Sequence, residues 1–412
     1  MIRRTILLLL CLAALLGVAS AAPALAQDTP AGSLPPAGDV AGLPSTTDFA
    51  APNEATAPNV QGIVLAFNPS GPGRCEVNIS PWPADAKAAV TRAAAIWSSL
   101  LNGSQPIVID VCWSPDFAAN GLLANCGSRT GTFANFAGAP LANTNYPLPL
   151  ANQLSNSDLN GADPEMQCRF NANRADWYTG LDGIVPTGRF DLISTALHEI
   201  GHGLGFAGGV DWDDGNSPAE CNGTRGVGCY STTPDVYDRF VQTSNGTSIL
   251  LLANNSIALG NALTGDALVF AGSNAIAANG GAAPRLHAPA TWVAGTSYQH
   301  LREDTFTDVA TGLMTPVMPD GSAIHHPGAV ALGILKDMGW TIYDLSITYV
   351  DKSNTGLENG GVLHPFNTAL EGVSAVPFGG RVFFFAGDYQ ENLTISRPMR
   401  LESIQGVVRI GR

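Results

Sequence analysis

Ser194-Thr195-Ala196-Leu197-His198-Glu199-Ile200-Gly201-His202-Gly203-Leu204-Gly205-Phe206 is the stretch around which the rest of this chain is read. His198 and His202 stand four apart, so a helix places both imidazoles on one face, a turn apart, where they can share one metal ion. Glu199 sits beside that face, placed to take a proton from a metal-bound water. Asp191 is positioned to cap the helix start. Ile193, Ala196, Leu197, Ile200 and Leu204 form the opposite, apolar stripe. Gly205 can adopt the left-handed conformation that stops the helix and turns the chain.

A length of 412 residues allows one large domain with an appendage, or two or three domains. With 45% hydrophobic and 13% charged residues the composition is that of a folded chain with a buried core. A net charge of −14 argues against nucleic acid and anionic membrane as partners and is compatible with bound cations. Arg3 and Arg4, the apolar run Ile6 to Val18 and the small-x-small Ala24-Leu25-Ala26 read as a signal peptide over residues 1–26, with the mature chain beginning at Gln27. The expected localisation is therefore secreted: extracellular, periplasmic or cell envelope. No later stretch is long and apolar enough to span a membrane. Residues 27–60, rich in Ala, Pro, Gly, Ser and Thr, read as a disordered linker or pro-segment.

Without Cys11, which leaves with the signal, Cys75, Cys112, Cys126, Cys168, Cys221 and Cys229 remain. An even number in a secreted chain favours disulfides. Cys221 with Cys229 is the first local pair expected, and Cys112 with Cys126 the second. No C-x-x-C spacing supports cysteine metal ligation.

Ile63 to Phe67 reads as a strand, Pro83 opens a helix that runs to Trp97 and Leu101, and Ile107 to Val111 is a second strand. Residues 114–165 are loop-rich. Cys168 to Asn171 is a short strand, a candidate border of the substrate cleft, and Trp177 to Gly183 is a turn leading to the metal helix. The acidic loop Asp211-Trp212-Asp213-Asp214-Gly215-Asn216 is a candidate for Ca²⁺, although its spacing matches no EF-hand and a solvated loop is the simpler reading. Residues 231–286 read as an insertion with short strands such as Ser248 to Leu252, and carry no evident chemistry.

Two imidazoles need at least one more protein ligand and an open position for water. Metzincin proteases place a third His in H-E-x-x-H-x-x-G-x-x-H; here that place falls on Gly208, which cannot ligate. Of His287, His300, His325, His326 and His364, the best placed is His300, in Gly295-Thr296-Ser297-Tyr298-Gln299-His300-Leu301. Gly312-Leu313-Met314-Thr315-Pro316 follows it and looks like a Met-turn, and Gly328 to Met338, ending at Gly339-Trp340, looks like the closing helix of the metzincin fold. His287 and Asp211 remain rival third ligands, and His325 with His326 reads as a solvated pair.

The pattern of H-E-x-x-H-x-x-G-F, a long insertion, a remote His and L-M-x-P resembles leishmanolysin-like metzincin zinc metallopeptidases and related secreted bacterial proteins. The resemblance covers roughly residues 60–345. It implies an α+β fold: a mixed twisted sheet, an active-site helix and a C-terminal helix over residues 61–345. It also implies a Zn²⁺ endopeptidase with His198, His202 and His300 as metal ligands, Glu199 as catalytic base and Met314 as the Met-turn residue, acting on protein or peptide substrates. The insertion before His300 and the gap to Met314 are longer than in leishmanolysin. Some metzincins add a Tyr donor after the Met-turn; residues 315–340 contain none, which leaves Tyr298 as the candidate transition-state donor.

Residues 346–412 change character. A short helix at Pro365 to Val373 and strands at 381–389, 393–395, 399–401 and 407–411 resemble the start of a pectin-lyase-like β-helix, a short all-β tail. Against the enzyme stand a non-catalytic envelope or adhesion protein with a degenerate protease domain, and carbohydrate chemistry in the tail, which its shortness disfavours.

Overall fold

The computed structural model describes residues 62–411, except 72–73, 76–78, 118–121, 129–131, 216–220, 308–310, 344–345, 357, 378–379 and 396–397. The expected signal peptide and linker, Cys11 and Asn216 lie outside the described residues. Those described belong to one compact unit, Thr56–Arg412. They form a mixed α+β structure with several sheets.

The first sheet is built on β2 (Ile107–Ser114), whose β-branched run is buried along nearly its whole length. β1 (Ile63–Phe67) pairs with it in parallel on one side. Between them in sequence runs α1 (Ala84–Leu100), an Ala-rich helix entered through Pro83. The fourth member in space is β3 (Ala124–Ser128), followed in sequence by the hairpin of β4 (Thr132–Ala134) and β5 (Asn145–Pro147) and by α2 (Leu148–Ser155). Next comes β6 (Met166–Asn171). The sheet order is β1-β2-β6-β3, with β6 parallel to β2 and β3 antiparallel to β6. Cys168 to Asn171 is therefore an interior strand. The strand that borders the cleft is β3, from the region expected to be loop.

Disulfides join Cys75 to Cys112, Cys126 to Cys168 and Cys221 to Cys229. The last was expected; Cys112 with Cys126 is corrected. β6 lies between their strands, and two strand spacings of about 4.8 Å exceed the reach of a disulfide. Cys126 instead faces Cys168 directly in the antiparallel register. Three disulfides accord with an oxidising compartment. Among the described residues no helix is long and apolar enough to cross a membrane.

β7 (Trp177–Tyr178) and β8 (Phe190–Asp191) pair in parallel and deliver the chain to α3 (Leu192–Gly203). Asp191 caps α3, its Oδ2 accepting from the Ser194 N–H at 2.7 Å and the Ser194 hydroxyl at 2.6 Å. Ile193, Ala196, Leu197, Ile200 and Leu204 are buried, as the apolar stripe requires. The Trp97 indole N–H of α1 donates to Leu197 O at 3.0 Å, locking α1 onto α3. Gly205, at φ +113°, makes the turn that ends the helix.

Beyond it, β9 (Val210–Trp212) pairs with β10 (Gly228–Tyr230), and β11 (Val241–Thr243) with β12 (Leu268–Phe270). α4 (Ile257–Leu263) and α5 (Ser273–Ala278) complete this segment. Ser248 to Leu252, expected as a strand, is a 3-10 turn at Ile249–Leu251 begun by Ser248 Oγ accepting from Leu250 N. Its apolar run is not extended, because that serine offers the backbone a local alternative. α6 (Ala329–Met338) ends at Gly339, and Trp340 donates its indole N–H to Leu204 O at 2.9 Å, tying the closing helix to the end of α3.

The tail is a parallel sheet of β13 (Ile347–Val350), β14 (Arg381–Tyr389) and β15 (Arg400–Ile410), in that order, with α7 (Ala369–Ala375) packed against it. It is not all-β, and the two separate strands expected at 399–401 and 407–411 are one. It packs on the preceding region through Arg92 of α1, 2.5 Å from Glu358, and through His326 edge-on to Phe366.

Candidate metal centre

His198 and His202 project from one face of α3, as their spacing requires, and His300 arrives from the far side of the insertion. Their Nε2 atoms form a near-equilateral triangle: 3.0 Å from His202 to His198, 3.1 Å from His202 to His300, 3.2 Å from His300 to His198. Each Nδ1 faces a backbone carbonyl: His198 that of Leu313 at 2.6 Å, His202 that of Phe206 at 2.7 Å, His300 that of Thr296 at 2.7 Å. A carbonyl can only accept, so each ring proton is held on Nδ1 and each Nε2 presents a lone pair. Burial lowers all three pKa values, His202 to about 3 with His198 adding to the effect, so the rings are neutral at pH 7.

Three lone pairs thus face one another with no proton to share. That arrangement is repulsive unless a cation lies among them. Nitrogens about 2.0–2.1 Å from a tetrahedral zinc stand about 3.3 Å apart, close to the triangle observed. The three histidines could hold a metal ion, and the donor set is compatible with zinc.

Glu199 follows His198 on α3 and lines the same cleft, half-buried. Burial pushes its carboxyl up to about 8. Met314, in the turn Gly312–Met314, is buried under α3: a Cβ at Gly201 would lie 2.9 Å from its Sδ. Its carbonyl accepts from Leu301 N at 2.8 Å, and the neighbouring Leu313 carbonyl orients His198. One turn therefore steadies two of the three histidines.

The rivals lie elsewhere. His287 is the backbone partner of the His300 segment, its N–H donating to His300 O at 2.9 Å while its own carbonyl accepts from Tyr298 N at 2.7 Å. Asp211 is on β9, outside the triad. Among the described residues the acidic loop does not gather three ligand side chains; Asp213 instead accepts from the N–H groups of Gly215 and Asn222. His325 and His326 are not a solvated pair. His325 Nε2 is 2.9 Å from the α3 cap Asp191, and His326 is buried against Phe366 with Gly328 N donating to its Nδ1. The loop after the Met314 turn folds back under the helix start and takes both with it.

Tyr298 is also corrected. Its ring is buried and its hydroxyl donates to Asp238 Oδ1 at 2.7 Å, turned away from the cleft. It is held at φ +77°, a left-handed conformation unusual for a side chain of this size, two residues before His300. Asp238 Oδ2 in turn accepts from Asp235 N at 3.0 Å and Gly209 N at 3.3 Å. The third-ligand segment is so tied to the chain just past α3. Asp238 belongs to the insertion in which the sequence showed no chemistry; only its place next to Tyr298 in space gives it a role.

The cleft holds about 770 Å³ and runs along α3. β3, the edge strand of its sheet, forms one wall together with Leu122 and Leu123; Thr296, Gln299 and Pro316 to Met318 contribute to the lining. A search of protein-family models and of curated proteins finds no match to this chain.

Proposed function

We propose that this chain is a secreted, zinc-dependent endopeptidase of the leishmanolysin-like metzincin type. The convergence of three lone-pair nitrogens, with Glu199 beside them in an open cleft, is the observation that carries this reading. Zinc bound by His198, His202 and His300 would supply a Lewis acid and a water acidic enough to yield hydroxide at neutral pH. Glu199 accepts the proton of the attacking water and delivers it to the leaving amine. Its raised pKa in the metal-free site favours holding a proton, and a neighbouring cation favours releasing it. β3 is the edge strand of its sheet, and its outer side offers backbone N–H and C=O groups to an extended peptide, which would fix the scissile bond over the triad. No nucleophilic Ser or Cys is required.

The test is hydrolysis of casein by the full secreted chain, with and without a chelator, beside Glu199→Gln. The expected result is chelator-sensitive cleavage, and a loss of about 10²- to 10⁴-fold in Glu199→Gln with its metal content retained. Full activity in Glu199→Gln overturns the mechanism. A metal-loaded wild type that cleaves nothing moves the chain to the non-catalytic alternative.

A further inference from the structure

Among the described residues lining the cleft, only two side chains carry a formal negative charge, Glu199 and Asp235, and no Lys or Arg is present. Glu199 belongs to the metal site. Asp235 stands at one end, and its position follows from its neighbours. Val236 N donates to Asn145 O and Asn145 N to Pro234 O, so residues 234–236 lie along β5. Pro147, at the end of β5, packs on Gly205 past the end of α3, and Ser128, the last residue of β3, accepts from Leu148 N. Asp235 is thus at the C-terminal end of both α3 and β3. Phe190, just before the start of α3, and Pro316 to Met318 also line the cleft and are neutral.

Structure does not account for the Asp235 carboxylate. The turn it belongs to is held by its backbone N–H on Asp238 and its carbonyl on Asp238 N. Among the described residues its side chain has the Asn145 amide as a partner and no cation, and burial raises its pKa. A carboxylate kept partly desolvated without a cation is costly and is relieved by one brought from outside.

We infer that Asp235 is the specificity-determining residue of the cleft, receiving the cationic side chain of a Lys or Arg on the N-terminal side of the scissile bond. The polarity follows from β3. As an edge strand it takes a peptide most stably in the antiparallel sense, which brings the N-terminal part of the peptide to the C-terminal end of β3, where Asp235 stands. This inference rests on the peptidase reading, so its test has one arm that needs no turnover.

In the first arm, a peptide library is digested by wild-type, Asp235→Asn and Asp235→Lys chains, and the residues flanking each cut are read by mass spectrometry. Lys and Arg should be enriched N-terminal to the cut in the wild type. That enrichment should fall about tenfold in Asp235→Asn and give way to Asp and Glu in Asp235→Lys. No enrichment in the wild type, enrichment on the C-terminal side only, or enrichment that survives in Asp235→Asn overturns the inference.

In the second arm, zinc-loaded Glu199→Gln chain is titrated with two fluorescent peptides that differ only in carrying lysine or the uncharged norleucine. Binding should be about tenfold tighter for lysine, and the difference should vanish when Asp235→Asn is added. Equal binding overturns the role of Asp235 whether or not the wild type cleaves. Absence of cleavage with a lysine preference intact overturns only the peptidase reading. Zinc content and melting temperature of each variant show that it is folded.

Discussion

Gly208 occupies the place where a metzincin helix motif would carry its third histidine, and the space around it explains why it does not. A Cβ there would lie 2.2 Å from Asp238 Oδ1 and 2.5 Å from the Tyr298 ring. The volume a local side chain would need is filled by the pair that anchors the His300 segment. Burial, with Asp235 nearby, pushes the Asp238 carboxyl up to about 7, against three donors that favour the carboxylate. The sign of the linkage follows. The unfolded carboxyl titrates near 3.8, so between that value and about 7 the folded state holds the extra proton. The contribution to stability is present at acid pH and lost as pH rises through about 7. Asp238→Asn cannot titrate. Its stability relative to wild type should therefore improve by about 2–3 kcal/mol between pH 5 and pH 8, measured by denaturant unfolding of the metal-free chains. A pH-independent difference would show that Asp238 titrates at its ordinary value.

At the scale of elements, α3 and β3 were unequally legible. Every signal that makes α3 is local: the Asp191 cap, the apolar spacing, the two histidines a turn apart and the terminating Gly205. β3 is Ala-Asn-Cys-Gly-Ser, small and polar, with none of the β-branched residues that mark a strand. It is extended because it pairs with β6 and because Cys126 is bonded to Cys168 opposite. Neither cause lies in its own five residues. The converse holds at Ile249–Leu251, where an apolar run that reads as a strand is turned by the preceding serine. Replacing Cys126 and Cys168 together by Ser should lower stability by about 2–4 kcal/mol, seen as an earlier melting transition. It should also weaken peptide binding to a Glu199→Gln background, because β3 is the wall on which the peptide would lie. Binding unchanged in a destabilised double variant would place the peptide elsewhere.

Over the whole molecule, the sequence marked the ingredients of the centre but not the contacts that hold it. His198, His202 and His300 were each visible, and the structure brings the three histidines to one point. Asp235 and Asp238 were not visible, because both matter only through partners distant in sequence: Asn145, Gly209 and Tyr298. Tyr298 was misplaced for the same reason, since its direction is set by Asp238, sixty residues earlier. The tail showed the strand at 381–389 and its short helix, but 393–395 is not in a strand, 399–401 and 407–411 are one strand, and its seat depends on Arg92 and Glu358 finding each other.

All of this turns on one return of the chain, from α3 through the insertion to His300. The most direct test is the metal content of wild type and His300→Ala, each saturated with zinc, dialysed and measured by inductively coupled plasma mass spectrometry. The account predicts about one zinc per wild-type chain and little or none in His300→Ala. A wild type that retains no metal, or a His300→Ala chain that retains a full complement, would contradict it.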